Sequence, residues 1–329
     1  MRRVVEMGRW WGLVCLGLFL LGCAETEQSA APAATEDAPS TITVGFAQIG
    51  AESARRTAET ASIQSEAAAR GIDLQFSDAQ QKQENQIKAL RNFAIRGVDA
   101  IILAPVVKTG WEPVLREVKA ARIPVILVDR GVTVSDDSLY TTLIASDFVE
   151  EGRMAARWLA KKAGGRADIV EIKGTTGSDP ALERERGFHE VIDQHPNMTI
   201  IKSQTGEFTR SKGKEVMEAF LKAERDGIDA VYAHNDDMAL GAIQAIKEAG
   251  REPGKDILIV SIDAVKAAFE AMIEGKLNCT VECNPLLGPM AFDAVEQVLA
   301  GKTLPKHIVV ADRIFDQSNA ADELAKRQY

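Results

Sequence analysis

The chain lacks a surplus of positive charge. It has 39 Lys and Arg residues against 48 Asp and Glu residues among 329, a formal net charge of −9, and a pI near 5.2. Nucleic-acid binding relies on basic faces that displace counterions from phosphates, so this balance argues against a nucleic-acid partner and favours a small ligand. The composition, 46% hydrophobic and 26% charged, is that of a soluble globular protein, and the length indicates two domains.

Cysteine is also scarce. Cys15 lies in the N-terminal apolar run, and Cys279 and Cys283 are four residues apart in a segment that we predict to be a strand. In an extended strand their Cα atoms would lie about 13 Å apart, beyond the usual ~7 Å limit for a disulfide. We therefore expect two buried or half-buried thiols.

Common motifs of catalysis and cofactor binding are missing. No G-x-G-x-x-G follows the first predicted strand, and G-x-x-x-x-G-K-[ST], G-x-S-x-G and H-E-x-x-H do not occur. The histidines are scattered without the spacing of metal ligands: His189, His195, His234 and His307. We interpret the adjacent Asp236 and Asp237 as favourable charges at the N-terminus of a helix. We predict no catalytic residue, no metal and no cofactor.

The first 40 residues have the pattern of an export signal. A positive start precedes the apolar run WWGLVCLGLFLL, which is too short to span a membrane as a mature helix, and a polar stretch follows. The segment LLGC resembles the lipoprotein box of bacteria, in which the cysteine is lipidated after cleavage. We predict a signal peptide over residues 1–22, lipidation of Cys23 and a flexible tether over residues 23–40. An ordinary signal peptide with an accidental cysteine is the alternative.

From Ile42 onward, short β-branched runs alternate with longer amphipathic runs, a pattern that predicts parallel sheets covered by helices on both faces. The first set of predicted strands covers residues 42–48, 73–78, 99–105, 124–129 and 139–146. The pattern then starts again, with strands at 167–174, 198–204, 228–235 and 256–263, and with helices that begin near Ser178, Thr209, Asp236 and Val265. A strand through Cys279 and Cys283, a helix at GPMAFDAVEQVLAG and a last strand at 307–314 complete the chain.

This repetition predicts two α/β lobes between which the chain crosses three times, near Ser146, Asn284 and Ala311. The N-terminal lobe would comprise residues 41–146 and 284–311, and the C-terminal lobe residues 147–283 and 312–329.

Polar side chains follow several of the predicted strands, and ligands of open α/β sheets bind at the carboxyl ends of strands. These candidates are Glu52, Ser53, Arg55, Arg56, Asp129, Arg130, Arg184, Asn235 and Asp263, with Gln48 and Phe208 as weaker ones. Carboxylates that accept and guanidinium or amide groups that donate suit a ligand with many hydroxyls. Alternatively, Asp129 and Arg130 only pair with each other or cap a neighbouring helix.

Several segments in order give the chain a resemblance to the periplasmic substrate-binding proteins of bacterial sugar ABC transporters, of the ribose-binding type. They are PVILVDR, LIASDFVEEGRMAARWLAKK, ERERGFHEVI, VYAHNDDMALGAIQAIKEAG and IVSIDAV, and the similarity extends from Thr43 to about Val310. Other segments, among them FAQIGAES and SQTGEFTRSKGKEVMEAF, closely resemble the galactofuranose-binding members.

The resemblance implies a two-lobed type I fold with a three-segment hinge that closes on a monosaccharide, galactofuranose or a related pentose or hexose. The matching sugar-binding positions are Asp129, Arg130, Arg184, Asn235 and Asp263, and residues 52–56 match the first ligand loop. Arg55 stands where the galactofuranose binders have Trp, so the exact sugar and its ring form are left open. We expect Asp129→Ala to weaken sugar binding while the fold is retained.

The resemblance also implies that a monomer delivers its ligand to an ABC permease and, through it, to an ATPase. Cys23 would anchor it to a membrane, in a periplasm or on a cell surface. A sugar sensor that presents its ligand to a membrane receptor is the main alternative. A LacI-type repressor shares the fold but needs a helix-turn-helix before the first strand, and an exported sugar enzyme is a further alternative.

Overall fold

The computed structural model describes residues 41–329, in which strands and helices alternate. The strands are β1 (Thr43–Gln48), β2 (Asp73–Asp78), β3 (Ala100–Leu103), β4 (Val125–Val128), β5 (Thr142–Ser146), β6 (Arg166–Lys173), β7 (Asn197–Thr205), β8 (Ala230–Ala233), β9 (Leu258–Asp263), β10 (Cys279–Glu282), β11 (His307–Val310) and β12 (Ile314–Asp316). The helices are α1 (Ala54–Ala69), α2 (Gln83–Arg96), α3 (Glu112–Ala120), α4 (Phe148–Lys162), α5 (Asp179–Ile192), α6 (Arg210–Glu224), α7 (Asp236–Glu248), α8 (Lys266–Ile273), α9 (Gly288–Leu299) and α10 (Ala320–Leu324).

The strands form two six-stranded sheets. The first has the order β11-β5-β4-β3-β1-β2, and every neighbouring pair in it is parallel. The second has the order β12-β10-β9-β8-β6-β7 and is parallel except for β12, which pairs with β10 in the antiparallel sense. The predicted class, two α/β lobes built on largely parallel sheets, is confirmed.

Helices cover both faces of each sheet, which explains why central strands such as β3 (AIIL) and β4 (VILV) are buried along their whole length. In the first lobe, α1 and α9 pack on one face and α2 and α3 on the other. In the second lobe, α6, α7 and α8 cover one face and α4 and α5 the other. From β1 to β9, each observed strand lies within its predicted range or extends beyond it by one residue at one or both ends.

The predicted last strand, residues 307–314, is wrong as a single element. β11 ends at Val310 in the first sheet, and β12 begins at Ile314 in the second. Between them, the carboxylate of Asp312 accepts a 3.4 Å hydrogen bond from the backbone amide of Asn284, in another connection between the sheets. β10 runs toward the connection at Asn284, whereas β12 runs away from the connection at residues 311–313, so the two strands are antiparallel.

The predicted signal peptide, Cys23 and the tether lie outside the described residues. Within residues 41–329, every helix is too short or too polar to cross a bilayer.

Candidate functional site

The carboxyl ends of strands from both lobes line a common small, polar cavity. Its walls are formed by Glu52, Ser53, Arg55, Arg56, Asp129, Arg130, Pro180, Arg184, Phe208, Asn235 and Asp263. The structure thus brings together all nine of the stronger sequence candidates and Phe208. Gln48 lies outside this wall: its side-chain oxygen accepts from the Ile49 amide at 2.8 Å and its nitrogen donates to Thr60 Oγ1 at 3.1 Å.

The two strand-end aspartates sit in strained backbone. Asp129, after β4, has φ of 63°, and Asp263, at the end of β9, has φ of 126°. Such left-handed conformations are unfavourable for residues with a Cβ and are often associated with binding sites. Asp236 stabilises the turn that follows Asp263, since its carboxylate accepts from the Val265 amide at 2.9 Å and from the Ser261 and Thr280 hydroxyls.

Asp129 is surrounded by guanidinium groups. Its Oδ1 lies 2.8 Å from Arg55 Nη2, its Oδ2 accepts from Arg56, and Arg130 Nε lies 3.5 Å away. Burial opposes the charged carboxylate, yet these three arginines hold the pKa of Asp129 below its ordinary value. Asp129 and Arg130 therefore do contact each other, as in the alternative interpretation, and they also line the cavity.

Asp263 has a different environment. Arg55 Nε and Arg184 Nη2 are each 3.8 Å from its Oδ1, too far for a hydrogen bond, and no other donor within residues 41–329 hydrogen-bonds to the carboxylate. Burial raises the pKa of Asp263 well above its ordinary value, against the attraction of Arg184 and Arg55. Asp263 is thus the cavity carboxylate with its acceptor positions free.

Two carboxylates that the sequence analysis did not identify lie beneath the arginines. Glu59 accepts from Arg56, and burial raises the pKa of Glu59 to about 7. Glu151 Oε2 accepts from Arg184 Nε at 2.6 Å. Glu59 could have been found from its i,i+3 spacing to Arg56 on α1, whereas the contact between α4 and α5 carries no such local signal.

The approach of α4 to α5 depends on two glycines. A Cβ on Gly152 would lie 2.3 Å from the carbonyl oxygen of Arg184, and a Cβ on Gly187 would lie 2.0 Å from that of Val149. Because only glycine fits at both positions, the helices come close enough for Glu151 to reach Arg184. Arg184 also donates to the carbonyl of His234 at 2.6 Å, which fixes its guanidinium at the cavity wall.

Phe208 supplies the aromatic surface of the cavity. The guanidinium carbons of Arg130 and Arg184 lie 5.2 Å and 5.9 Å from its ring centroid. A Cβ on Gly174 would lie 1.9 Å from the ring, so glycine at this position makes room for it. Pro180, in the first turn of α5, lines the cavity too, and no sequence signal had identified it.

Ser53 and Asn235 are partly used by the fold. Ser53 Oγ accepts from the Arg56 amide at 3.2 Å as the N-cap of α1. Asn235 caps α7 by accepting from the Met238 amide at 3.0 Å, and it donates to the carbonyl of Phe208 at 3.1 Å.

Two polar atoms at the cavity, by contrast, are buried without a hydrogen-bond partner among the described residues: Glu52 Oε2 and Arg130 Nε. A buried acceptor or donor without a hydrogen-bond partner costs folding free energy, unless a ligand supplies the missing partner.

A metal could fit at a separate cluster. The ligand atoms of Glu171, Glu185 and His189 lie within 4.8 Å of one another, a proximity that the sequence spacing of the histidines did not indicate. These charges are already balanced: Lys173 Nζ lies 3.0 Å from Glu185, and the hydrogen bond to Glu171 raises the pKa of His189. We assign no metal here.

The interpretation of Asp236 and Asp237 as charges for their own helix is incomplete. Both lie in the first turn of α7, but Asn235 is its N-cap. The hydrogen bonds of Asp236 fix the turn after β9, and Asp237 accepts from the amide of Ala54 at 2.7 Å, in the other lobe.

Two α/β lobes that enclose a polar, arginine- and carboxylate-lined cavity at their strand ends define a two-lobed solute-binding protein. The periplasmic binding protein domain matches residues 44–303, and the chain belongs to that family. Its close relatives are sugar-binding proteins of ABC transporters, which confirms the resemblance found in the sequence.

Three relatives illustrate this similarity. The galactofuranose-binding protein of Escherichia coli (strain K12) is 52% identical over 291 residues, 87% of this chain and 92% of the relative. The binding protein of the arabinose ABC transporter from Shewanella sp. ANA-3, solved with α- and β-L-arabinofuranose, is 57% identical with a TM-score of 0.86, covering 87% of this chain and 96% of that one. A Mycobacterium smegmatis protein in complex with β-D-fucofuranose is 52% identical with a TM-score of 0.86, covering 88% and 96%.

Proposed function

We propose that the chain binds a monosaccharide in its furanose form in the cavity between the lobes and delivers it to an ABC permease. The observation that carries this proposal is the cavity around which both lobes place guanidinium, carboxylate and aromatic groups. Hydroxyls can donate to the free carboxylate of Asp263 and accept from the arginines, and Phe208 offers an apolar surface for C–H groups.

The ring form is supported by the relatives, because the three described above are named for, or were solved with, galactofuranose, arabinofuranose and fucofuranose.

Arg55 distinguishes this cavity from one with an aromatic side chain at that position. Its guanidinium contacts Asp129 at 2.8 Å and donates to the carbonyl of Cys283 at 2.8 Å, so it is fixed by the first lobe and by the connection after β10. A ligand therefore meets a planar cation here, which can cover a sugar face and also donate to a hydroxyl or carboxylate. Uronic acids accordingly belong among the sugars to be tested.

We further propose that the exported protein is a monomeric lipoprotein, held at a membrane by acylated Cys23 with residues 24–40 as tether. The LLGC box supports the anchor. We also place the boundaries between the lobes near residues 146, 284 and 311, and the sheet to which each strand belongs supports these boundaries. Replacement of Cys23 by Ser should release the protein from the membrane fraction, and a variant that stays in that fraction would refute the anchor.

The function is tested by thermal shift and calorimetry with L-arabinose, D-galactose, D-fucose, D-ribose and D-galacturonate. A ligand that binds only the folded protein raises its melting temperature. We expect at least one of the sugars with a furanose form to do so, with no sugar consumed. No stabilisation by any of them would refute the proposal, and turnover would favour an enzyme.

A further inference from the structure

We propose that Asp179 and Asp237, which lie outside the cavity wall, close the lobes over a bound sugar and so determine how slowly it is released. This inference rests on the proposed function. Both are carboxylates of the second lobe that accept a hydrogen bond from a backbone amide of the first lobe, next to an arginine of the cavity.

Asp237 makes the first of these contacts. It lies in the first turn of α7, is 6% exposed, and its Oδ2 accepts from the amide of Ala54 at 2.7 Å. Its Oδ1 accepts from Arg210 Nη2 at 2.8 Å, which orients the carboxylate. Because Ala54 begins α1 and precedes Arg55, this hydrogen bond ties the first ligand loop to the second lobe.

Asp179 makes the equivalent contact on another part of the interface. It is the first residue of α5, is 7% exposed, and its Oδ2 accepts from the amide of Gly131 at 2.9 Å. Lys108, also in the first lobe, lies 2.5 Å from its Oδ1. Because Gly131 follows Arg130, this contact holds the strand end that carries Asp129 and Arg130 against α5.

These contacts form only when the lobes are together. Opening at the hinge separates α5 and α7 from the amides of Gly131 and Ala54 and returns both carboxylates to water, where they lose little by being solvated. An interaction present only in the closed state stabilises that state and slows its opening. In the free protein the same contacts favour the closed state, so their loss should raise the open fraction. The sugar enters the open state, so we expect dissociation to become faster and association not to become slower.

The test compares Asp179→Ala, Asp237→Ala and the double variant with Asp193→Ala. Asp193 is an exposed carboxylate at the C-cap of α5, at the far end of the helix from Asp179, and is a matched control for the loss of an acid. The probe is L-arabinose, measured by stopped flow through intrinsic fluorescence, with the unfolding midpoint recorded for each protein.

We expect each single variant to dissociate at least about tenfold faster, without a slower association rate, since a hydrogen bond to a charged group contributes roughly 10- to 150-fold. The double variant should show the product of the two effects because the sites have no common partner. Asp193→Ala should match the wild type. An unchanged dissociation rate, or a lowered association rate alone, would overturn the proposal.

A second measurement separates this inference from the proposed function. If L-arabinose does not bind the wild type, small-angle scattering of the ligand-free protein still compares the lobes of the wild type and the double variant. We expect a larger radius of gyration for the double variant than for the Asp193→Ala control. Equal radii would overturn the inference whatever the ligand.

Discussion

Replacement of Asp263 by asparagine should weaken sugar binding without weakening the fold. The carboxylate is 2% exposed and receives no hydrogen bond within residues 41–329, while burial raises its pKa. The folded protein therefore gains little from its charge, and a neutral amide of similar size avoids the desolvation cost. A sugar hydroxyl, however, loses a charged acceptor, and hydrogen bonds to charged groups contribute about 1.5–3 kcal/mol, or roughly 10- to 150-fold in affinity.

The assay is calorimetry with L-arabinose together with urea unfolding. We expect the affinity of Asp263→Asn to fall within that range and its free energy of unfolding to equal or exceed that of the wild type. Asp193→Asn, at the exposed end of α5, is the control and should change neither quantity. Unchanged affinity in Asp263→Asn would refute the assignment of this carboxylate to the ligand.

Replacement of Asp129 by alanine, unlike that of Asp263 by asparagine, should weaken the fold. Its removal leaves the guanidinium groups of Arg55, Arg56 and Arg130 buried without their shared carboxylate. Removing one partner of a buried ion pair costs about 3–5 kcal/mol, so we expect Asp129→Ala to retain the fold with a lower stability. We expect its melting temperature to fall by roughly 10 °C. A variant as stable as the wild type would show that these contacts contribute little.

Three further predictions concern the surroundings of the cavity. Gly174→Ala places a Cβ 1.9 Å from the ring of Phe208, so it should destabilise the protein by about 1–3 kcal/mol and weaken L-arabinose binding. Unchanged affinity by calorimetry would mean that the ring does not define the cavity. Burial raises the pKa of Asp312 to about 8, so its contribution to stability is complete below pH ~4 and is lost as the pH rises toward 8. Urea unfolding at pH 5, 7 and 9 should show that the free energy of unfolding declines less steeply with pH in Asp312→Asn than in the wild type. Parallel declines in the two proteins would contradict this. Cys279 and Cys283 are buried and form no disulfide within residues 41–329, so dithiothreitol should leave the melting temperature unchanged. A drop would reveal a disulfide.

The sequence was sufficient to predict the elements and the main site residues for one physical reason. Parallel strands bring their carboxyl ends to one edge of a sheet, so Asp129, Asn235 and Asp263, each at or just after a strand end, could be expected together. The near-continuous apolar strands gave the sheet class, and glycines such as Gly97, with φ of 68° after α2, gave the helix ends.

The other features of the site and fold depend on how helices and strands pack against one another, and the periodicity of the sequence does not predict that packing. Glu151 reaches Arg184 only because two glycines let α4 approach α5. Asp237 lies in the first turn of α7, yet it bonds to a residue 183 positions away in the other lobe. The split of the last predicted strand follows from a change of sheet at residues 311–313, where the sequence stays apolar enough on both sides to resemble one strand.

The most direct test of the central claim is a crystal structure of the protein grown with L-arabinose. Our account predicts density for one furanose ring enclosed by both lobes, with hydroxyls within hydrogen-bond distance of Asp263, Glu52 and Arg130 and a C–H face against Phe208. A sugar bound elsewhere, or an empty cavity in a crystal whose protein binds L-arabinose in solution, would contradict it.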